Sequence, residues 1–431
     1  MQGGKTRDIA YNYIYTGSRF NQDLSFTHQY FNLYRNRLSK LRTRIPTEAY
    51  KKILFERITE VKVGQEVLVI GIIIRSHKER ISNIEKYIVK VGIIDPRPSL
   101  GNFSSNKDLL YIEDENGRLK IQTDTLYGCW EHLITGVVIG IKGFIREDAS
   151  LEAMEMILPI VNLPPQITQY KDELICFVSG LEVGNPNFSH TLLHVFADFL
   201  LGGLEDSEGS VSGRIVRLVI LGDSIYKPVN ARTVDRKAVG ESELKGFKEM
   251  SSSLKQLDTI MAELAGIFPV DVIPGEMDPT NASLPQQPLS PYLFPKAAIY
   301  SALRSVPNPY EFEIDGVRTL CTSGQNINSM SQYLPETMNE LEIMELTLNY
   351  RHIAPTAPDA LQCIPIQNTD PFIIDQLPNI YVVGNMRGYK TAISNEGVRM
   401  IAVPRFSTTK SFVIMNRFSL ESTAITLHEF I

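Results

Sequence analysis

Four short turns in the second half of the chain carry the side chains whose types and spacing could support metal chemistry. Each follows an apolar run and contains glycine: GLEVG (180–184), GDSIY (222–226), PGEMDP (274–279) and GNMRGY (384–389). Ligands of open α/β sheets gather where strands end, so we expect these turns to converge. A pair of divalent metals held there would polarise a phosphate ester and activate water, and it requires several carboxylate and imidazole ligands.

The order of these turns resembles that of the calcineurin-like metallophosphoesterases, whose turns carry D-x-H, G-D-x-x-D, G-N-H-[DE] and G-H-x-H. The corresponding positions in this chain hold Gly180 and Glu182, Asp223 and Tyr226, Glu276, Met277 and Asp278, and Asn385 and Arg387. Glycine, methionine and arginine cannot replace metal ligands, and Arg387 is expected to place a positive charge where the cations would sit. The comparison predicts retained turn geometry and lost chemistry, with no catalytic residue, metal or cofactor. Adventitious binding of a single Mg²⁺ by Asp223, Glu276 and Asp278 is the open alternative.

Three histidines are further candidates for metal ligation. His352, in YRHIAPTAPD, is either a surviving ligand or a structurally hydrogen-bonded histidine, and the second interpretation is favoured. His190 and His194 share a helix face through their i, i+4 spacing. Because no third ligand or adjacent acid accompanies them, an ordinary half-buried helix is favoured there.

The composition is that of an ordinary globular protein, with 431 residues, 43% hydrophobic and 21% charged. That length predicts two or three domains. The longest apolar runs, such as VLVIGIII (67–74), have the length of strands, so no membrane segment is expected. The net charge of −6 opposes a general affinity for nucleic acid. The local exception is a basic cluster, Arg35–Arg57, interpreted as a solvated helix face or, less favoured, as a contact to DNA phosphate or an acidic partner.

Residues 1–58 are predicted to form a tail and an amphipathic helix, and residues 59–165 a barrel. In the helix, apolar side chains recur at helical spacing: Tyr30, Leu33, Tyr34, Leu38 and Leu41. The following region switches to short β-branched runs, including KYIVKVGII (86–94), and Asn116-Gly117 predicts a hairpin with a type I′ turn. Several short strands of this kind indicate an all-β OB-fold.

Residues 166–431 are predicted to form an α/β domain that carries the four turns. Strands at 174–180, 214–221 and 268–273 alternate with helices at 186–201 and 242–267, which predicts a sheet with helices on both faces. A proline-punctuated segment, Pro279–Pro295, follows the third turn. We expect it to brace the domain through Tyr292, Leu293 and Phe294, because proline leaves little backbone entropy to lose.

An OB-fold followed by a degenerate phosphoesterase domain closely resembles the B-subunit family of the replicative DNA polymerases, and within it the small regulatory subunits of DNA polymerase delta. The segments that carry this resemblance are SFTHQYFNLYRNRL (25–38), PVDVIPGEMDPTNASLPQQPLSPYLFP (269–295), DGVRTLCTSGQNI (315–327), RHIAPTAPDAL (351–361) and TDPFII (369–374). Together with the wider similarity they extend over nearly the whole chain.

The resemblance implies a non-catalytic scaffold in the nucleus that acts in DNA replication and repair. It would hold the cysteine-rich C-terminal domain of the polymerase catalytic subunit and the N-terminal domain of a third accessory subunit, and meet DNA only through the holoenzyme. Two alternatives stay open. An active metal-dependent phosphoesterase is disfavoured by Gly180, Met277 and Arg387. An autonomous single-strand-binding OB protein is disfavoured by the near balance of charge across residues 60–162.

Overall fold

The computed structural model describes residues 11–23, 25–55, 57–77, 102–105, 108–122, 130–167, 171–203, 211–227 and 241–427, with only the backbone at 241–247. Two compact units divide the chain. The mixed-sheet unit comprises 1–23, 163–325 and 378–431, and the barrel unit comprises 24–162 and 326–377. None of the helices in the described ranges combines the length and apolar composition that a bilayer span needs.

The strands are β1 (Tyr13–Tyr15), β2 (Leu54–Phe55), β3 (Glu66–Ser76), β4 (Leu109–Glu113), β5 (Arg118–Gln122), β6 (Val138–Ile145), β7 (Leu151–Ile157), β8 (Leu174–Val178), β9 (Ile215–Leu221), β10 (Val270–Ile273), β11 (Leu303–Ser305), β12 (Tyr310–Ile314), β13 (Val317–Thr322), β14 (Ile380–Met386), β15 (Lys390–Ile393), β16 (Arg399–Pro404), β17 (Ser411–Asn416) and β18 (Ser422–Thr426). The α-helices are α1 (Phe31–Arg42), α2 (His190–Leu201), α3 (Val211–Arg214), α4 (Glu241–Ala265), α5 (Gln325–Ser331), α6 (Glu340–Asn349) and α7 (Phe406–Thr409). Short 3₁₀ turns lie at Ser18–Phe20, Glu48–Tyr50, Ile58–Glu60, Trp130–His132, Pro291–Leu293 and Ala297–Ile299.

In the barrel unit, strands β3 to β7 close into a small barrel. Their order is β3-β4-β5-β7-β6, and β6 pairs back onto β3 to complete the ring. The contact between β5 and β7 is parallel, whereas the other contacts within the ring are antiparallel. This is the topology of the predicted OB-fold. The predicted strand at 86–94 lies outside the described residues.

The β4–β5 hairpin forms where it was predicted, but its turn type differs. Neither Asn116 nor Gly117 adopts the positive φ of a type I′ turn. Instead the Asp114 carboxylate accepts hydrogen bonds from the backbone N–H groups of Asn116 (2.7 Å) and Gly117 (2.8 Å). The type I′ assignment was wrong because this side chain satisfies the turn amides and shapes a longer loop.

Helix α1 buries its apolar stripe within the barrel unit. Leu33, Leu38 and Leu41 are buried, and Leu38 and Leu41 share a core with strands β3 and β6. That part of the helix prediction is confirmed. Tyr30 departs from it, because the residue is 41% exposed, although its hydroxyl donates to the carbonyl of Cys363 at 3.0 Å.

Arg37 lies on this helix and is fully buried, so its interpretation as part of a solvated or phosphate-binding cluster was wrong. Its Nε donates to Asp370 Oδ2 at 2.7 Å. Its Nη1 donates to the carbonyls of Gly136 and Pro355, both at 3.0 Å, and its Nη2 to that of Ala357 at 2.8 Å. One guanidinium therefore satisfies three carbonyls of irregular backbone from two distant parts of the barrel unit.

Two neighbouring cations of the basic cluster are also engaged internally. Lys40 Nζ and Arg44 Nη2 both contact the Asp375 carboxylate, at 2.6 and 2.5 Å. Arg35 differs, since its side chain is 62% exposed and lies 3.5 Å from Glu115. Most of the helix charge thus serves the fold rather than an external phosphate.

The segment 326–377 is far from the barrel in sequence yet clusters with it. Tyr350 donates its hydroxyl to the His132 carbonyl at 2.9 Å, and Arg351 Nε donates to the Pro159 carbonyl at 3.0 Å. The compact units therefore do not follow the predicted segments 1–58, 59–165 and 166–431 in chain order. Whether those boundaries delimit independently folding domains stays a prediction.

The mixed-sheet unit contains two six-stranded sheets, in the orders β1-β12-β13-β14-β16-β15 and β11-β10-β9-β8-β17-β18. One apolar core joins residues of both sheets, among them Phe177, Val219, Phe312 and Ile401. A second core joins β8, β9 and β10 to helices α2 and α4. The predicted strands and helices of this region are confirmed. The prediction that helices cover both faces of one sheet was wrong, since the other sheet covers one face.

The tail that precedes the helix enters this unit as strand β1, antiparallel to β12. It covers a buried ion pair between Arg217 and Asp271. The Tyr11 hydroxyl accepts hydrogen bonds from Arg217 Nε (3.1 Å) and Nη2 (2.8 Å), and the Tyr13 ring lies 4.5 Å from the guanidinium carbon. Tyr11 and Tyr13 thus give the buried Arg217 guanidinium a hydroxyl acceptor and an aromatic ring contact.

The proline-punctuated segment contributes one apolar anchor to the core. Phe294 is 1% exposed and packs with helix α4, and Leu293 packs at the edge of the same core. Tyr292, two residues earlier, is 92% exposed. The expected bracing role is confirmed for Phe294 and Leu293 and wrong for Tyr292, because the 3₁₀ turn at Pro291–Leu293 directs its side chain outward.

We expect Phe294→Ala to lower the free energy of unfolding by about 3–5 kcal/mol, because it empties a buried aromatic site. Tyr292→Ala is the matched control and should stay within about 0.5 kcal/mol of the native chain, since the side chain is exposed. Chemical denaturation of both variants measures the difference. Equal effects of the two substitutions would contradict the assigned burial.

Removing the buried cation of helix α1 should be similarly costly. Arg37→Met removes the counter-charge of the buried Asp370 carboxylate and leaves three carbonyls without this donor, and we expect a loss of about 3–5 kcal/mol in the free energy of unfolding. Arg35→Met, on the exposed side of the same helix, should change it by less than about 0.5 kcal/mol. A comparable loss in both variants would show that helix propensity, rather than the buried network, is responsible.

Candidate functional site

The four predicted turns meet at one edge of the mixed-sheet unit. The backbone N–H of Gly180 donates to the Gly222 carbonyl at 2.9 Å, and that of Glu182 to the Asp223 carbonyl at 3.0 Å. A Cβ atom on Gly275 would collide with the backbone nitrogen of Asp223, so the second and third turns are in direct backbone contact. Glycine is required there because any side chain would separate the turns.

The fourth turn joins them through Asn385. Its backbone N–H donates to Ser179 Oγ at 2.9 Å, and its Nδ2 donates to the carbonyls of Leu221 (3.1 Å) and Ser323 (2.9 Å). Asn385 adopts a left-handed backbone conformation, with φ of 60°. The side-chain amide at this position therefore connects strand ends.

Asp278 ties the second and third turns together from within. Its Oδ1 accepts hydrogen bonds from the N–H groups of Ser224 (2.9 Å) and Ile225 (3.0 Å), and its Oδ2 from that of Gly275 (2.8 Å). Burial raises the pKa of Asp278 to about 7 and the nearby Asp223 charge adds to the rise, while the three amide donors oppose it. Both of its oxygens are occupied by the backbone.

Asp223 faces two different donors. Its Oδ1 accepts from the Met277 N–H at 2.9 Å, and its Oδ2 accepts from Arg405 Nη2 at 3.1 Å. Burial raises the pKa of Asp223, and the Met277 amide and the Arg405 charge oppose that rise. The residue has φ of 52°, which places its carboxylate inside the cluster of turns.

Arg405 is the functional residue that the sequence analysis missed. Its Nη1 lies 2.6 Å from Glu182 Oε1, so one guanidinium connects the acids of the first and second turns. The other Glu182 oxygen, Oε2, accepts from Asn185 Nδ2 at 2.7 Å. Its position in the sequence could have indicated this residue, because Arg405 directly follows the buried strand β16 at the edge where the four turns meet.

The remaining predicted positions lie around this cluster. Glu276 and Arg387 are exposed, whereas Met277 and Tyr226 are half-buried. Arg387 directly follows the last residue of β14 and is exposed, and the cation that contacts the carboxylates of Glu182 and Asp223 is Arg405 rather than the expected Arg387.

The donor set does not fit a metal pair. Each carboxylate oxygen of Glu182, Asp223 and Asp278 already accepts a hydrogen bond from an amide or from Arg405. Asn385 Oδ1 has no hydrogen-bond partner among the described residues, but a single amide oxygen is not a ligand set. Within the described part of the chain, no group of three or more His, Cys, Asp or Glu side chains is arranged to hold a metal ion.

From the sequence alone we expect Gln286→Ala to have little effect, and that expectation is wrong, because Gln286 supports the third turn. It is buried, and its Nε2 donates to the carbonyls of Gly275 (2.9 Å) and Asn281 (3.1 Å). Its Oε1 accepts from Asn308 Nδ2 (2.9 Å) and Gln325 Nε2 (3.0 Å). This network gives the buried polar side chains around the third turn their hydrogen-bond partners.

His352 is held by structural hydrogen bonds, whereas His190 and His194 are exposed. His352 belongs to the barrel unit, where its Nδ1 accepts from the Ala354 N–H at 3.2 Å and its Nε2 donates to Asp370 Oδ2 at 2.9 Å. Burial lowers the pKa of His352 to about 4, and the Arg37 charge contributes, while Asp370 opposes the change. The favoured interpretation is confirmed. His190 and His194 lie on the exposed side of α2, opposite its buried residues, which confirms the half-buried helix.

Comparison with known proteins gives the family. The family model of the DNA polymerase alpha/epsilon B-subunit matches residues 175–391, and that of the DNA polymerase delta subunit OB-fold domain matches residues 29–156. The DNA polymerase delta small subunit of Oryza sativa is 33% identical over 429 residues, covering 96% of this chain and 95% of that protein. This chain belongs to the DNA polymerase delta small-subunit family. The match also confirms the predicted OB-fold.

Relatives of this chain also occur outside plants. The DNA polymerase delta small subunit of Saccharomyces cerevisiae is 28% identical over 449 residues, covering 92% of this chain and 89% of that protein. The DNA polymerase II small subunit of Methanothermobacter thermautotrophicus is 23% identical over 336 residues, covering 75% and 66%. A dimetal phosphatase from Danio rerio aligns with 60% of this chain and all of its own, with 13% identity and a TM-score of 0.29, too low to support a shared fold.

The buried histidine predicts a pH dependence. Because the pKa of His352 is about 4 in the folded chain and about 6.5 when unfolded, the unfolded state binds more protons between these values. Its contribution to stability is therefore fully present above pH ~6.5 and is lost as pH falls towards 4. The loss should reach about 3 kcal/mol.

His352→Gln keeps a donor for Asp370 without the titration, so its unfolding free energy should fall less steeply over the same pH range. His190→Gln, at an exposed position, should keep the native slope. Urea denaturation at a series of pH values measures the three profiles. Parallel profiles for the native chain and His352→Gln would rule out a buried neutral histidine.

Proposed function

We propose that this chain is the non-catalytic scaffold subunit of a DNA polymerase delta complex. The observation that carries the proposal is the guanidinium of Arg405, which lies between the Glu182 and Asp223 carboxylates where catalysis would need metal. Family membership supports the same conclusion, since the relatives are named small subunits of DNA polymerase delta. The chain then supplies rigid surfaces rather than chemistry.

The mixed-sheet unit is proposed to be a calcineurin-like phosphoesterase domain that lacks its metal ligands. The order of the turns along the chain and their meeting at one strand edge support this assignment. The degenerate positions would be those at which a ligand is missing or neutralised: Gly180, Glu182, Asp223, Tyr226, Glu276, Met277, Asp278, Asn385 and Arg387. Their retained role would be to hold strand ends together.

The proposed partners are the cysteine-rich C-terminal domain of the polymerase catalytic subunit and the N-terminal domain of a third accessory subunit. Permanent assemblies of this kind bury ~2,000 Å² or more. Each unit exposes large apolar side chains that suit such interfaces, including Tyr292 and Ile299 in the mixed-sheet unit and Phe26 and Phe31 in the barrel unit. The complex would act in the nucleus in DNA replication and repair, and the chain would meet DNA only through it.

The two alternative functions are disfavoured by specific contacts. An active phosphoesterase would need free carboxylate oxygens, and those of Glu182, Asp223 and Asp278 have partners. An autonomous single-strand-binding protein would need free cations, and Arg37, Lys40 and Arg44 are engaged with Asp370 and Asp375.

Co-expression of the full chain with the catalytic subunit tests the proposal. We expect a one-to-one complex that persists through gel filtration in about 0.5 M salt, since an interface built on apolar burial is little weakened by screening. A catalytic subunit truncated before its C-terminal domain is the control and should elute separately. The third subunit should join the native complex through its N-terminal domain.

Two assays on the purified chain decide against this proposal if positive. Hydrolysis of bis(p-nitrophenyl) phosphate that requires Mn²⁺ and is lost in Asp223→Asn would establish the phosphoesterase. Submicromolar binding of single-stranded DNA with a steep salt dependence would establish the DNA-binding protein. Failure of the chain to bind the catalytic subunit would remove the scaffold function itself.

A further inference from the structure

The cluster of turns contains more negative than positive charge. Glu182, Asp223 and Asp278 are buried there, and Glu276 is exposed in the third turn. Burial is the main cause that raises the pKa of Asp223 and of Asp278, and neighbouring acids add to the rise, namely Glu276 and Glu182 at Asp223 and Asp223 at Asp278. The cation in contact with two of these acids is Arg405, whose side chain is 30% exposed. Such a concentration of carboxylates is costly to bury without a counter-charge.

Arg405 holds its position through its backbone as well as its side chain. Its N–H donates to the Met386 carbonyl at 3.2 Å, at the end of β14. The next two amides, of Phe406 and Ser407, donate to the carbonyls of Ser179 (2.8 Å) and Gly180 (2.9 Å). These backbone hydrogen bonds hold Arg405 at the point where the first and fourth turns meet. Its guanidinium therefore stays beside the acids that it neutralises.

The glycine at the first turn is explained by the same side chain. A Cβ atom on Gly180 would lie 2.8 Å from Arg405 Cγ and 2.9 Å from Asn385 Oδ1. The backbone there has φ of 61°, which residues other than glycine rarely adopt. The stem of Arg405 therefore occupies the space that an acidic ligand at position 180 would need. Glycine at position 180 and arginine at position 405 therefore belong to one packing arrangement.

We propose that Arg405 is an intramolecular cation that takes the place of a divalent metal. Its guanidinium neutralises Glu182 and Asp223 and excludes metal ions from the turns. Without its charge, Glu182 Oε1 and Asp223 Oδ2 lose their donors and become free hard-oxygen ligands beside the other acids of the cluster. The inference goes beyond the scaffold function and is measured without any partner subunit.

The test compares the full chain with Arg405→Gln and Arg405→Lys, using Mn²⁺ alone as the probe. Free Mn²⁺ is counted by electron paramagnetic resonance, and the melting temperature is recorded with and without about 1 mM Mn²⁺, a concentration suited to weak carboxylate sites. We expect Arg405→Gln to bind one Mn²⁺ and to melt about 3 °C or more higher in its presence. The native chain and Arg405→Lys keep the positive charge and should show neither effect.

The variant Glu182→Gln, Asp223→Asn, Arg405→Gln is the matched control, because it removes both carboxylate charges with little change of shape. It should fold and bind no Mn²⁺ at this site. The proposal is overturned if Arg405→Gln binds no Mn²⁺, if the native chain binds Mn²⁺ equally well, or if the triple variant still binds it.

The control also covers the case in which Arg405→Gln does not fold. Unpaired carboxylates are then the expected cause, and the triple variant should recover soluble, cooperatively melting protein. Equal loss of folding in both variants would show that Arg405 acts through packing alone, and would overturn the exchange of a metal for a guanidinium. Neither result bears on binding of the catalytic subunit, which separates this test from that of the scaffold function.

Discussion

The carboxylate of Asp278 is the contact on which the geometry of the strand-end turns depends. Three backbone amides from two turns donate to it, and each would be a buried donor without a partner if the side chain were removed. Fixing those turns also sets the direction of Asp223, whose Oδ1 accepts the Met277 amide of the third turn. The Asp278 carboxylate therefore stabilises the backbone of the neighbouring turns.

Close backbone approach is the second constraint, and it connects geometry to charge. Gly222 and Gly275 are in contact, as are Gly324 and Gly384, so the strand ends come nearer than side chains would permit. Carboxylates brought this close repel each other, and a cation is needed among them. Arg405 supplies it from the end of strand β16. The turns thus meet at one edge while the oxygens of their buried carboxylates are occupied by hydrogen-bond donors.

In the barrel unit, too, an arginine side chain pairs with a buried carboxylate and satisfies backbone groups. Arg37 places one guanidinium against three carbonyls and the Asp370 carboxylate, and His352 donates to the same carboxylate. Irregular backbone is thereby satisfied without a regular ladder of hydrogen bonds. Arginine suits this role because its five donors are held in a rigid planar fork and it stays charged when buried.

Local patterns in the sequence determined the OB-fold strands, the alternation around β8 to β10, the apolar stripe of α1 and the four turns, because periodicity and glycine placement report on neighbouring residues. Tertiary structure alone decided which charges meet. Arg405 lies 223 residues from Glu182, and Arg37 lies 333 residues from Asp370. Tertiary structure also decided the burial of two neighbouring aromatic residues, since Phe294 is buried and Tyr292 is exposed. Partners so distant in sequence leave no local signal, since folding alone brings them together.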